Sequence, residues 1–222
     1  LSSGAAGVAY ALYRIACIQD RAALLSLADI WSMKALHTLD SNIAFYNDTI
    51  ITPATIGRIS PYHTASGLYC VQAFISHALG DLASLQEATG FFIASSQLPC
   101  ANIDLTLGSA GTLLASSFLL DKVLQHKALH AEPLLAFGNR IMQSIWNEIK
   151  AFQPIQECFA IKSPGMAHGW AGFLYATLCW CRSSGTPYPD TIEERLQQLA
   201  TCAESYGRGV RWPWLFPHQK LA

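Results

Sequence analysis

Apolar residues recur with the period of an α-helix along most of the chain, and they predict eight helices in four successive hairpins. Within segment 133–149, for example, Leu134, Phe137 and Ile141 fall on one helical face. The predicted helices cover residues 4–18, 21–39, 67–79, 82–96, a helix from the segment 104–111 to about 127, then 133–149, 169–182 and 192–204. No segment predicts a strand, so we expect an all-α protein.

Turn residues mark several of the predicted boundaries. We expect Gly80 to end a helix, Asp81 to cap the next helix, and Gly90 to interrupt it. Asp190 or Thr191 is expected to cap the last helix. Segments 40–60 and 150–164 break the helical pattern and predict long connections. Long connections inside a compact domain often cover or flank a functional site.

A short motif opens the first helix of each hairpin. It consists of a small residue followed three positions later by glycine. Its four copies read GAAGVAYAL, TASGLYCV, GSAGTLLA and GWAGFLYA, and their last glycines are Gly7, Gly67, Gly111 and Gly172. Such repetition is typical of stacked helical hairpins. Glycine at a helix start permits a positive φ or a close approach of the backbone. The periodicity alone allows either a superhelical solenoid or a closed ring.

Composition narrows the class of protein. The chain has 222 residues, 51% of them hydrophobic and 13% charged, with a mean hydropathy of +0.25, which favours many buried inner helices. The net charge of -1 offers no basic surface for nucleic acid, so we expect no such partner. No apolar run approaches the roughly 18 to 20 residues that a membrane span needs. No signal peptide is visible either, and we expect a cytoplasmic protein.

The seven cysteines are scattered through apolar helical segments. We expect reduced, buried thiols rather than a disulfide framework. Their spacing contains no zinc-binding pattern, so we assign no metal ligand among them.

Two motifs resemble those of the lanthionine synthetase C-like family. GMAHGWAG, which contains His168, resembles the family's Ala-His-Gly-x-x-Gly signature, and DLTLGSAG at 104–111 resembles its acidic residue before a Gly-x-x-Gly. The run SPYHTASGLYCVQA at 60–73 and the terminal RGVRWPW are similar to the subset in which this domain follows a protein kinase domain. The resemblance extends over the whole chain and implies an upstream kinase domain as an attached partner.

The resemblance implies an α/α toroid with the glycine motifs at the starts of its inner helices. Four motifs stand where a complete ring of this family has seven hairpins, so we expect a partial toroid. Residues 1–222 would form a single LanC-like domain, a fragment that lacks the C-terminal hairpins with the zinc ligands. An open ring of this kind is expected to expose inner-helix surface.

His168 and Asp104 are the candidate catalytic residues. Histidine titrates near neutrality and can act as a general acid, and the resemblance implies that Asp104 lies in the active site with it. Each residue also has a structural interpretation. His168 could order its loop as a helix-cap residue, and Asp104 could cap the inner helix through backbone N–H groups.

Six further residues are candidates for the substrate cavity. Tyr62 and His63 precede the second motif as Ala167 and His168 precede the fourth, and a structural or substrate-contacting role is expected for them. The remaining candidates are the motif glycines Gly108, Gly111, Gly169 and Gly172.

The resemblance implies that the complete protein uses zinc to add a cysteine thiol to dehydroalanine or dehydrobutyrine in a dehydrated precursor peptide. The zinc ligands would lie outside this chain, and the fragment alone would be inactive. An alternative is a catalytically inactive helical-repeat module that binds a peptide or regulates an attached kinase. A toroidal glycosidase is a third interpretation, but it needs two paired carboxylates, and Asp104 has no evident partner among the motifs.

Overall fold

A computed structural model describes residues 4–39 and 58–216. Within these ranges the chain forms eight α-helices, one turn of 3-10 helix at Ile155–Glu157 and one β-hairpin. The helices are α1 (Ala5–Gln19), α2 (Ala22–His37), α3 (Ala65–Leu79), α4 (Leu82–Ser95), α5 (Ser109–Val123), α6 (Glu132–Ile149), α7 (Trp170–Ser184) and α8 (Ile192–Thr201). The strands are β1 (Glu204–Tyr206) and β2 (Gly209–Arg211). The predicted all-α class is confirmed.

Successive helices pack as hairpins, and the first helices of the hairpins also contact one another. The pairs are α1 with α2, α3 with α4, α5 with α6, and α7 with α8, while α1, α3, α5 and α7 touch in that order. Helix α5 has twelve buried residues among its fifteen, whereas α8 has two among its ten. Helices α3, α5 and α7, which bury more than half of their residues, therefore form an inner layer. Helix α1 continues this row but buries only three of its 15 residues, and the even-numbered helices lie outside the layer.

Two of the predicted caps are confirmed. Gly80 ends α3 with a left-handed φ of 75°, which glycine adopts without steric cost. The Asp81 carboxylate accepts a hydrogen bond of 3.0 Å from the backbone N–H of Ser84 and so caps α4.

The predicted interruption at Gly90 is wrong, because α4 continues through it. Helix α4 buries Leu85, Ala88 and Phe92 against the core on both sides of the glycine. The cost of glycine within a helix is only about 1 kcal/mol, and this packing outweighs it. At the start of α8, Thr191 occupies the capping position, but its side chain makes no capping hydrogen bond.

The C-terminal part differs most from the prediction. Helix α5 ends at Val123 instead of near 127, and α8 ends at Thr201 instead of at 204. Residues 204–211 form an antiparallel hairpin, so the expectation that no strand occurs is wrong. Gly207, with a φ of 59°, makes the turn between the strands. All six strand residues are exposed, and so they carry no alternation of apolar and polar positions.

The predicted connection 40–60 lies outside the described residues except for its last three positions. The connection 150–164 contains the 3-10 turn and leads the chain from α6 to α7. No helix within 4–39 or 58–216 has the length and apolar character to cross a membrane.

Buried Arg195 joins the end of α6 to the start of α7. Its side chain is only 8% exposed, and its guanidinium donates to the carbonyl oxygens of Phe152 at 2.8 Å and Gln153 at 2.9 Å. It also lies over the ring of Trp170, 5.2 Å from the centroid. Carbonyl groups that follow a helix end carry partial negative charge, so they suit a buried cation. This contact holds the first residue of α7 in place.

The motif glycines of α5 and α7 lie against the backbone of the loop that precedes each helix. In α5, a Cβ atom would lie 1.9 Å from the Asn102 carbonyl oxygen if built on Gly108 and 2.2 Å from the Leu105 oxygen if built on Gly111. In α7, it would lie 2.0 Å from the Ser163 oxygen on Gly169 and 2.1 Å from the Met166 oxygen on Gly172. In every case the carbonyl belongs to the residue six positions earlier. Neither Gly108 nor Gly169 has a positive φ. Of the two uses of glycine expected, α5 and α7 show the close approach, whereas Gly4 at the start of α1 has a positive φ of 91°.

Gly111→Ala is predicted to destabilise the protein, because its Cβ has no room beside the Leu105 carbonyl. Overpacking of this kind costs about 1 to 3 kcal/mol. Gly90→Ala is the matched control, since Gly90 also lies inside a helix but has nothing within 4 Å of the added Cβ. It is expected to stabilise the protein by about 0.5 to 1 kcal/mol. Chemical denaturation of both variants tests this, and equal unfolding free energies would contradict the close approach.

Candidate functional site

The loops that precede α3, α5 and α7 are joined side by side by hydrogen bonds. The Ser60 hydroxyl donates to the carbonyl oxygen of Thr106 at 2.5 Å. Thr106 in turn donates to the carbonyl oxygen of Ala167 twice, from its backbone N–H at 3.1 Å and from its hydroxyl at 3.0 Å. Three segments that are far apart in the sequence therefore meet along one edge of the inner layer.

The loops before α5 and α7 begin with the same kind of turn. The side-chain oxygen of Asn102 accepts from the backbone N–H of Asp104 at 2.9 Å, and the hydroxyl of Ser163 accepts from that of Gly165 at 3.0 Å. Such side-chain turns replace backbone hydrogen bonds and bend the chain sharply. In both loops the bend leads the chain back beneath the start of its own helix.

Asp104 caps a turn rather than the helix that was expected. One carboxylate oxygen, Oδ1, accepts a hydrogen bond from the backbone N–H of Leu107. Helix α5 begins after Gly108, so this contact orders the residues just before the helix. Asp104 therefore binds a backbone N–H group, as its structural interpretation predicted, but this group lies in the turn before α5 and not in the helix. Its second oxygen is left for another partner.

That partner is His168, whose Nδ1 lies 2.9 Å from Oδ2 of Asp104. The Asp104 side chain is 14% exposed and the His168 side chain 56% exposed, so the carboxylate is shielded while the ring reaches solvent. A carboxylate only accepts hydrogen bonds, so Nδ1 carries the proton of this contact. The other ring nitrogen, Nε2, is then the one available to a substrate.

The pair lies at a cavity of about 490 Å³ between the loop before α5, the end of α6 and the loop before α7. Its walls combine apolar side chains with four ionisable residues. The apolar side chains are Ile103, Phe152, Ile161 and Phe173, and the ionisable residues are Asp104, Glu148, Lys162 and His168. A concave site that combines apolar surface with a few ionisable groups can hold a small ligand.

Glu148 and Lys162 were not predicted as site residues. Glu148 stands in the last turn of α6, and partial burial raises the pKa of its carboxyl group. In the sequence it looks like an ordinary solvent-facing residue of an amphipathic helix, and no signal separates it from its neighbours. It supplies a second carboxylate near Asp104. Asp104, however, is already bound to Leu107 and His168, unlike the two substrate-facing carboxyl groups of a glycosidase.

Tyr62 and His63 occupy a different part of the same edge. Tyr62 borders a separate apolar cavity of about 250 Å³ together with Tyr10, Phe74, Gly111 and Phe118. Burial raises the pKa of the Tyr62 hydroxyl and lowers the pKa of His63. The charge of Asp104 opposes the shift of His63, and the charge of His168 adds to it. Gly108, Gly169 and Gly172 are packed against loop carbonyls, as described above.

The described residues do not fit a zinc site. Within 4–39 and 58–216 no three His, Cys, Asp or Glu side chains are grouped so as to hold a metal ion. Five of the cysteines are buried, as expected, namely 70, 158, 179, 181 and 202. For Cys17 the expectation of burial is wrong, because this side chain is exposed, and Cys100 is half-buried. Burial raises the pKa of Cys70 to about 12, and it also raises the pKa of Cys100, which keeps these thiols protonated.

Removal of the negative charge at position 104 is predicted to lower the pKa of His63 further. The Asp104 carboxylate favours the charged form of this imidazole, so Asp104→Asn removes a stabilising charge. His168→Gln should act in the opposite direction, because protonated His168 repels a second positive charge. NMR titration of the His63 ring protons measures both shifts. Shifts of the same sign in the two variants would contradict this arrangement of charges.

Comparison with known proteins agrees with the helical architecture. The sequence profile described as Lanthionine synthetase C-like protein matches residues 1–211. The match spans all eight helices, both strands and the loops that carry Asp104 and His168. No curated protein matches the chain. The helical hairpins, the glycine-started inner helices and this match together establish that the chain belongs to the lanthionine synthetase C-like family.

Proposed function

We propose that this chain takes part in adding a cysteine thiol to a dehydroalanine or dehydrobutyrine residue of a peptide, which forms a thioether. The observation that carries the proposal is the Asp104–His168 pair, with Nδ1 2.9 Å from Oδ2 at the wall of a 490 Å³ cavity. Membership of the family supplies the class of substrate. The mixed apolar and polar walls suit a peptide segment, and the exposed ring of His168 suits contact with its reacting atoms.

The reaction needs a proton donor at the α-carbon. The thiolate sulfur forms a bond to the β-carbon, and the electron pair of the carbon–carbon double bond moves toward the α-carbon as an enolate. Protonated His168 gives the proton of Nε2 to the α-carbon and becomes a neutral imidazole. The thiol proton released earlier restores the imidazolium, so that the sum is thiol plus alkene to thioether.

Asp104 acts through the histidine. Its carboxylate fixes the ring by accepting from Nδ1 and stabilises the positive charge that the ring carries before proton transfer. The same carboxylate is held by Leu107, so the ring is fixed to a loop that is itself ordered. The shielding of Asp104 from solvent strengthens this contact relative to an exposed ion pair.

Zinc remains a proposal for the complete protein, with ligands outside the described residues, and no step above depends on it. An upstream kinase domain and a cytoplasmic location likewise stay predictions.

His168→Gln is predicted to slow thioether formation by about 10²- to 10⁴-fold, the usual contribution of a general acid. The assay uses the complete protein and a peptide that contains one dehydroalanine and one cysteine. Cyclisation does not change the peptide mass, so unreacted cysteine is alkylated and counted by mass spectrometry. His130→Gln is the matched control, because His130 is exposed and lies in the turn before α6, away from the pair.

Equal rates for the wild type and His168→Gln would overturn the assigned role. If the wild-type protein binds the peptide without forming a thioether, the catalytically inactive peptide-binding module becomes the better account. Peptide binding measured by calorimetry distinguishes this outcome from a protein that does not recognise the peptide at all.

A further inference from the structure

Thr106 connects the two loops that carry the candidate catalytic pair. Asp104 binds His168, and two residues further on Thr106 binds Ala167, the residue directly before the histidine. The carbonyl oxygen of Ala167 accepts both the N–H and the hydroxyl of Thr106, at 3.1 and 3.0 Å. The loop before α5 thus contacts both the side chain of His168 and the backbone directly before it.

The double contact restricts the direction in which His168 can point. The ring is 56% exposed, so packing alone does not fix it. Two donors converging on one carbonyl oxygen fix the peptide unit between Ala167 and His168, because each donor has its own preferred angle. With that peptide unit fixed, the Cα–Cβ bond of His168 is directed toward Asp104.

Thr106 is itself held from its other side. Its carbonyl oxygen accepts a hydrogen bond of 2.5 Å from the hydroxyl of Ser60. The peptide unit that contains this carbonyl also contains the N–H of Leu107, which donates to Asp104, so these two hydrogen bonds polarise one another. The side chain of Thr106 is only half-buried and lies outside the hydrophobic core, so its hydroxyl can be removed without opening a core cavity.

We infer that Thr106 is a positioning residue for His168. The Thr106 hydroxyl sets the orientation of the imidazole against Asp104. The expected effect on the rate of thioether formation rests on the proposed function, whereas the effect on the orientation of the His168 ring does not. The hydroxyl acts on the ring through the Ala167 peptide unit and touches no reacting atom.

The test compares Thr106→Val, which keeps the shape but removes the hydroxyl, with Thr106→Ser, which keeps the hydroxyl. The first readout is the tautomer of the neutral His168 ring, from the ¹⁵N shifts of Nδ1 and Nε2 in histidine-labelled protein. The wild type and Thr106→Ser are expected to hold the proton on Nδ1. Thr106→Val is expected to show a mixture of tautomers, because the ring leaves Asp104 part of the time. The backbone contact of residue 106 remains in all three proteins.

The second readout is the rate of thioether formation. Thr106→Val is expected to lower kcat by about 10- to 100-fold, the cost of a small misplacement of a catalytic group, and to leave KM unchanged. Thr106→Ser should restore kcat. Thr201→Val is the matched control, because the hydroxyl of Thr201 donates to the Gln198 carbonyl at 2.7 Å and accepts from the Gln156 side chain at 3.3 Å, and neither contact involves the loops 102–108 and 163–169.

Folding of each variant is checked by its circular dichroism spectrum and melting temperature. A folded Thr106→Val protein with the same tautomer as the wild type would overturn the inference. Loss of the Nδ1–H tautomer in both Val and Ser variants would also overturn it, because the hydroxyl would then not be the cause. The tautomer readout needs no substrate. If the proposed function fails while the tautomer changes as expected, the positioning role stands without it.

Discussion

The site depends on the contact between the glycines that open α5 and α7 and the carbonyl groups six residues before them. At Gly108, Gly111, Gly169 and Gly172 a Cβ atom would lie within about 2 Å of a backbone oxygen, which no side chain tolerates. Each loop can therefore fold tightly beneath the start of its own helix. The two loops that do so carry Asp104 and His168.

The site follows from this constraint through packing. Helices α5 and α7 are neighbours in the inner layer, so their starts lie side by side and bring the two folded loops together. Thr106 and Ala167 then set the register between the loops, and Asp104 meets His168 at 2.9 Å. Buried Arg195, whose guanidinium lies 5.2 Å from the ring centroid of Trp170, contacts the first residue of α7. The pair is thus supported by an ordered backbone rather than by a flexible loop.

Helical periodicity predicted the hairpins, because burial on one face of a helix leaves a clear 3.6-residue pattern. The inner position of the motif helices was implied by the family resemblance. The resemblance of two short motifs identified Asp104 and His168. The resemblance also implied that they share one site. The atoms and the distance of their hydrogen bond could not be predicted, because the two residues are 64 positions apart and meet through the register that Thr106 sets. Glu148 was missed because a charged residue on an outer helix usually faces solvent. The hairpin 204–211 was missed because its strands are short and wholly exposed.

The central claim is that His168 delivers a proton to one face of the α-carbon. The most direct test is the configuration of that carbon in the thioether made by the complete protein and by its His168→Gln variant. The account predicts a single configuration from the wild type. From the slow residual reaction of the variant it predicts a mixture, because water then protonates the enolate from either face. The same single configuration from both proteins would contradict it, since another group would then be the proton donor.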